Sequence, residues 1–329
     1  MARDGARPAY DPAGHDTDLR AALQEVRTGR WMSMRTLLER TVTWWQWTQR
    51  TQVLAAAAAG TDVVRTWLAE EPDSVPAAVM RARVAVERAL RARREEHLRT
   101  HELWIEAWDL SDAATRTAPK DPVPWVCLLA LAQLDRRQLW EEHRAAPPEP
   151  MLPPGPWGLL AEAERRDPYN REAHHRMLQF LYAQAASEQL AEAVGYAHWV
   201  ADTAPAGSAL HVLPLHVRVE RYRRGGGRSA ALDLHWVAEE ATREARRAYH
   251  SWFGQSLPVE QSPLDLNHLA HALWGALRFE EAARVFDAIG PYYTPVPWTH
   301  RTADPGDQAQ AVQIFLQARA RSRSAPREA

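Results

Sequence analysis

Residues 266–289, LNHLAHALWGALRFEEAARVFDAI, hold two stretches of helical apolar spacing with a short break between them. Leu266, Leu269, Ala270 and Leu273 share one face of an α-helix, and Phe279, Ala282, Phe286 and Ile289 share one face of the next. The small Ala270 and Ala282 allow the two helices a close approach, and Phe279 and Phe286 fill the space between them. An amphipathic pair of this kind cannot bury its apolar face alone, so neighbouring pairs must stack upon it.

The same spacing extends in both directions. Helices are expected over 18–59, 62–70, 75–94, 95–116, 122–135, 137–144, 156–166, 171–184, 187–203, 208–224, 229–252, 263–277, 279–289 and 307–319. No period-2 apolar run occurs, so essentially no sheet is expected. Four turns punctuate the series: Glu71-Pro72-Asp73-Ser74, Ala118-Pro119-Lys120-Asp121, Asp167-Pro168-Tyr169-Asn170 and Ala204-Pro205-Ala206-Gly207. In each the proline ends one helix, and a nearby Ser, Asp or Asn is placed to cap the next. Residues 145–155 carry five prolines and are expected to link two helical halves, 17–144 and 156–320. Residues 1–16 and 321–329 read as disordered tails, and the glycines before Arg228 as a flexible joint.

The pair at 266–289 resembles a tetratricopeptide repeat. Leu266, Leu269, Ala270 and Leu273 occupy its first-helix positions, and Phe279, Ala282, Phe286 and Ile289 its second. Leu266 stands where that repeat has Trp, Leu273 where it has Tyr, Leu277 where it has Gly, and Pro295 lies one place late. Trp125, Leu128, Leu129 and Ala132 fit a first helix in part, and His174, Met177, Leu178 and Leu181 fit in spacing. The stretch 167–181 is similar to uncharacterised tetratricopeptide-like proteins of high-GC bacteria, which implies no activity. The resemblance, over roughly residues 60–295, implies an all-α fold, a right-handed helical-repeat solenoid (an α–α superhelix). It also implies a concave face that binds a protein or peptide partner.

Composition narrows the function classes. The 329 residues are 46% hydrophobic and 25% charged, with a formal net charge of −2. That balance is globular, and it lacks the basic excess with which proteins displace counterions from nucleic acid, so no direct nucleic-acid partner is expected. Lys120 is the only lysine, which rules out a phosphate-binding loop ending in Lys-Ser or Lys-Thr. The N-terminus has no apolar signal segment, and the apolar runs near 53–59 and 125–132 are too short to span a bilayer. A cytoplasmic protein without membrane insertion is the expectation. Cys127, the only cysteine, lies in an apolar run and is expected to be buried and inert.

Catalytic motifs are missing. His97 with His101 and His268 with His271 have helix-face spacing, and Glu172 with His175 forms one Glu-x-x-His. No HExxH sequence or Gly-x-Ser-x-Gly elbow accompanies them. No catalytic residue, metal ligand or cofactor is therefore assigned. The arginines at 81, 83, 88, 91, 93 and 94, and those at 218, 221, 223, 224 and 228, read as solvated helix faces and helix C-termini that favour cations, the alternative being recognition of acidic peptide or phosphate groups. The 15 tryptophans, Trp44, Trp45 and Trp47 among them, read as fillers of wide gaps between helices, the alternative being that some form an exposed aromatic patch for a partner.

The leading expectation is a non-catalytic protein- or peptide-binding scaffold. One alternative is a histidine- or metal-dependent enzyme, or enzyme accessory, built in the helical groove. Another is a peptide-responsive regulator acting through a partner. In the repeat register the groove-facing positions are Glu172, His175, Gln179 and Tyr182, then His211, Leu215 and Arg218, then Asn267, His271 and Trp274. Such residues should carry no core packing, so replacing His175, Arg218 and Trp274 together is expected to spare the fold.

Overall fold

The computed structural model describes residues 8–185, 190–226 and 230–325, without the side chains of 230–233. The described residues are helical with no β-strand, and two isolated bridges are the only β pairings among them. None of their helices is long and apolar enough to cross a membrane. Parts of the expected tails (1–7 and 326–329), the start of the helix expected from 187, and the glycine joint at 227–229 lie outside the described residues.

The chain divides into two compact units, one of residues 15–185 and one of 1–14 with 186–329. The first contains α1 (Thr17–Arg27), α2 (Met32–Glu39), α3 (Trp44–Ala58), α4 (Val63–Glu70), α5 (Val75–Arg94), α6 (Thr100–Thr117), α7 (Val123–Ala132), α8 (Trp157–Arg166) and α9 (Arg171–Gln184). Helix α1 packs on α3, α3 on α5, α5 on α7 and α7 on α9, with α2, α4, α6 and α8 laid against this row. The turn chemistry acts as the sequence suggests. Ser74 accepts from the amide of Ala77, Asn170 from that of Ala173, and Asp121 from that of Val123. Helix α7 is apolar all round, and only Trp125 among its ten residues is not buried, which is how a central helix reads. Cys127 is fully buried there, and burial pushes its thiol up to about 12, so it is inert at neutral pH.

Several boundaries differ from the periodicity. The run expected over 18–59 is three helices, broken at 28–31 and 40–43; at the first break Gly29 takes a left-handed conformation (φ 82°) and α1 closes with the Arg30 amide on the Glu25 carbonyl at 3.0 Å. Glu96 ends α5 the same way, at φ 52°, so residues 95–99 are a turn and α6 starts at Thr100. His97 therefore precedes α6 and shares no helix face with His101. Residues 137–144 hold only the 3-10 turn Glu141–His143. The proline-rich segment lies inside the first unit, where the Gly155 amide reaches the Ala145 carbonyl at 3.1 Å and Leu152 is buried.

The second unit holds α10 (Ala191–Thr203), α11 (Leu213–Arg224), α12 (Ala230–Val237), α13 (Glu239–Ala248), α14 (Pro263–Gly275), α15 (Phe279–Ile289), the kinked single turn α16 (Pro295–Trp298) and α17 (Gln308–Ser324). The run expected over 229–252 is thus broken between α12 and α13. Helix α14 is the centre, packed by α11, α12, α13, α15, α16 and α17, and every residue from 265 to 273 is buried. The core positions of its pair with α15 are buried as expected, with Phe279 half-buried. Leu277 closes α14 at φ 59°, in the place where glycine has no steric penalty. Residues 8–14 are not a free tail. Ala9 pairs with the strand-like backbone at 291–293 through bonds of 2.9 and 3.0 Å, and Ala13 is buried.

Candidate functional site

The expected groove residues are mostly interior. Glu172, His211, Leu215, Arg218, Asn267 and His271 are buried, His175, Tyr182 and Trp274 are half-buried, and Gln179 is exposed. The reason on α14 is plain: a helix surrounded on every side has no face left for a groove. Glu172 instead receives Arg83 through two bonds of 2.6 Å, with Arg176 adding a third contact at 2.9 Å. Asn267 accepts from the Trp298 indole at 2.9 Å and donates to the Pro263 carbonyl at 2.8 Å. His211 meets the Pro205 carbonyl at 3.1 Å, and Leu215 belongs to the apolar core.

Arg218 is equally structural. Its guanidinium grips Glu244 through two bonds of 2.9 Å and meets His235 Nε2 at 2.6 Å. His198 touches the same carboxylate at 2.9 Å. His198, Glu240 and Glu244 lie close enough to share a cation. Both Glu244 oxygens, however, are already occupied by a guanidinium, whose charge opposes any metal there, and the cluster is best described as an ion-pair network. The expectation that Arg218 carries no packing is therefore corrected, and a replacement that includes it would disturb the fold. The two arginine-rich stretches are likewise only partly solvated. Arg83 and Arg218 are buried, and Arg88 caps the end of α3 by donating to the carbonyls of Ala59 and Thr61 at 2.8 Å each. Tryptophan is mixed too: Trp67, Trp236, Trp252 and Trp298 are fully buried, Trp44 is exposed, and Trp47 bonds Asp121 at 2.8 Å.

Trp274, at the end of α14, does open onto a cavity. The cavity measures about 340 Å³ and is lined by Tyr222 of α11, Trp274, Arg301, and Gln310, Gln313, Ile314 and Gln317 of α17. Arg301 is the last residue of the 3-10 turn Thr299–Arg301 that follows α16, and its guanidinium lies 4.9 Å from the Trp274 ring, 5.4 Å from Tyr222 and 5.7 Å from Trp236. These distances are within cation–π range. Its Nε donates to His271 Nε2 at 2.7 Å. Burial, reinforced by the charge of Arg301 and by His268 and His300, holds His271 well below the usual imidazole range, so the ring is a neutral acceptor with its proton on Nδ1. The His271 ring stands nearly perpendicular to the Trp236 and Trp298 indoles, which fix its plane. Gly275 lets Trp236 and Arg301 close in, because a Cβ there would meet Trp236 Cβ at 3.0 Å and Arg301 Nη2 at 3.4 Å.

Of the positions singled out in the sequence, Trp274 lines this cavity and His271 supports it from beneath. Arg301, Tyr222 and the glutamines were not anticipated. Gln310, Gln313 and Gln317 do carry a signal, since their spacing sets three carboxamides on one face of a single helix. Arg301 carries none, because it lies in a turn and reaches the cavity only through tertiary folding. No protein-family model, curated protein or solved structure matches this chain.

Proposed function

We propose that the protein is a non-catalytic binding protein of stacked helical pairs that receives a peptide segment of a partner protein at the cavity of its second unit. One observation carries the reading: an open cavity whose lining combines aromatic faces, a charged group and three carboxamides, the mixture that holds a peptide by side chain and backbone together. The volume is in the range of sites that enclose a small ligand or a few side chains. The row α1, α3, α5, α7, α9 with its flanking helices supports the tetratricopeptide-like, right-handed superhelical reading of the first unit, because alternate helices of a pair-repeat stack in that order.

The test is capture of the partner from a cell lysate by wild-type protein and by Trp274→Ala and Gln317→Ala variants, followed by affinity measurement with the recovered partner. Both side chains are exposed or half-buried, so far-ultraviolet circular dichroism should be unchanged. Trp274→Ala is expected to weaken binding about tenfold or more, as for an aromatic anchor. Unchanged affinity in both variants would remove the cavity from the binding surface.

A further inference from the structure

We infer that the outer face of α6, in the first unit, is a docking groove for a cationic amphipathic helix of a partner protein. Helix α6 turns Trp104, Ala107, Ser111 and Ala114 inward and packs on α5 and α7. Its opposite face carries a cavity of about 540 Å³. The lining residues fall into two rows spaced four apart: His101, Ile105 and Asp109 in one, and Glu102, Glu106 and Leu110 in the other. Two such rows are parallel ridges along a helix, and the groove between them is the shape into which a ridge of a second helix fits. The surface belongs wholly to the first unit, so it stands whether or not the second unit's cavity takes a peptide.

The chemistry of the groove narrows its occupant. Ile105 and Leu110 are half-buried and offer apolar surface, while Glu102, Glu106 and Asp109 are exposed beside them. Arg99 holds Glu102 at 2.8 Å, and among the described residues no cation is in ion-pair contact with Glu106 or Asp109. Further along the helix, Asp112 is paired with Arg116. Two carboxylates without a counter-charge, set next to apolar side chains, complement a helix that carries Lys or Arg beside its own apolar stripe. A nucleic acid, an anionic lipid surface or an acidic segment would be repelled. A wholly apolar helix would desolvate the carboxylates and give them no partner.

The experiment uses the full chain and three fluorescent peptides of about 18 residues, long enough to hold a helix on a surface. The first has leucines at helical spacing flanked by lysines. The second has glutamine in place of every lysine. The third has the composition of the first in scrambled order, without the period. Fluorescence anisotropy is expected to show the first binding about tenfold or more tightly than the second, the worth of one charge-assisted contact. The advantage should shrink as salt is added, and the third should bind more weakly than the first. Glu106→Lys combined with Asp109→Lys should abolish the preference for lysine with circular dichroism unchanged, since both positions are exposed. Glu149→Lys combined with Glu192→Lys makes the same change in net charge at exposed positions elsewhere and should leave the preference intact. Absence of binding, equal binding of the first two peptides, or a preference untouched by the α6 substitutions overturns the docking site. A control pair as damaging as the α6 pair overturns it too, by reducing the effect to overall charge. A scrambled peptide as tight as the first overturns the helical form of the partner. Sedimentation of the wild type as a dimer that the α6 pair dissociates overturns the foreign partner and assigns the groove to a second copy of the chain.

Discussion

Glu172→Gln removes one negative charge and leaves the shape of the side chain almost unchanged. In the structure, Glu172 Oε1 accepts from Arg83 Nη1 at 2.6 Å and from Arg176 at 2.9 and 3.1 Å, and Oε2 accepts from Arg83 Nη2 at 2.6 Å. Arg83 is 2% exposed and Glu172 3%, so water cannot replace the lost partner. Arg83 would keep a bond of 3.3 Å to the Thr48 carbonyl and the more distant field of Glu87. Four charge-assisted bonds at about 1.5–3 kcal/mol each are opposed by a desolvation cost of several kcal/mol per ion. The expected net cost of breaking the pair is about 3–5 kcal/mol, the range for a buried charge left unpaired. For a unit of this size that lowers the melting temperature by roughly 6–20 °C. Urea unfolding read by hydrogen exchange of α5 and α9 amides assigns the change to this unit. Arg83→Met combined with Glu172→Leu should recover most of the loss, because well-packed apolar groups can replace a buried pair at little cost. A Glu172→Gln protein within about 1 kcal/mol of wild type would refute the argument, since that is the worth of an exposed pair. The pH dependence has a definite sign. Burial raises the Glu172 carboxyl, but Arg83 and Arg176 more than offset it and the net shift is downward. A lowered acid contributes stability that is fully present above its unfolded value, about 4.3, and is lost as pH falls through the folded one. The wild type should therefore lose this contribution in acid, and Glu172→Gln should not.

Two further substitutions test the second unit. Ala282 is fully buried where α15 meets α14, so Ala282→Trp should overpack that contact and cost about 1–3 kcal/mol or more, measured by thermal unfolding; an unchanged midpoint would show the contact is loose. Gly14 holds φ +53°, and a Cβ there would lie 2.4 Å from Pro263 Cγ. Gly14→Ala should detach residues 8–14 from the head of α14, at a cost of about 1–3 kcal/mol, with faster hydrogen exchange at Ala9 and Tyr293; unaltered protection would mean the segment contributes little.

The local order of the chain was legible without its fold. Apolar spacing marked α5, α9 and α15 to the residue, because a helix that must bury one face writes its period into the sequence. Prolines and their neighbouring caps marked the turns at Ser74, Asp121 and Asn170, since capping bonds span only two or three residues. The break at Gly29 is also local, but the helical spacing marked no boundary there; the boundary expected between 94 and 95 is a turn over 95–99, with Glu96 in the left-handed conformation. The site was decided otherwise. A repeat register assigns each helix one inward and one outward face, and it placed Asn267 and His271 in a groove. Tertiary packing surrounded α14 on all sides and buried both, along with Glu172 and Arg218, whose charges found partners at 89 and 26 residues' distance. Arg301, Tyr222, Trp274 and the glutamines of α17 converge only because α11, α14 and α17 pack together, and no spacing in a linear sequence encodes which of its distant side chains will share one cavity.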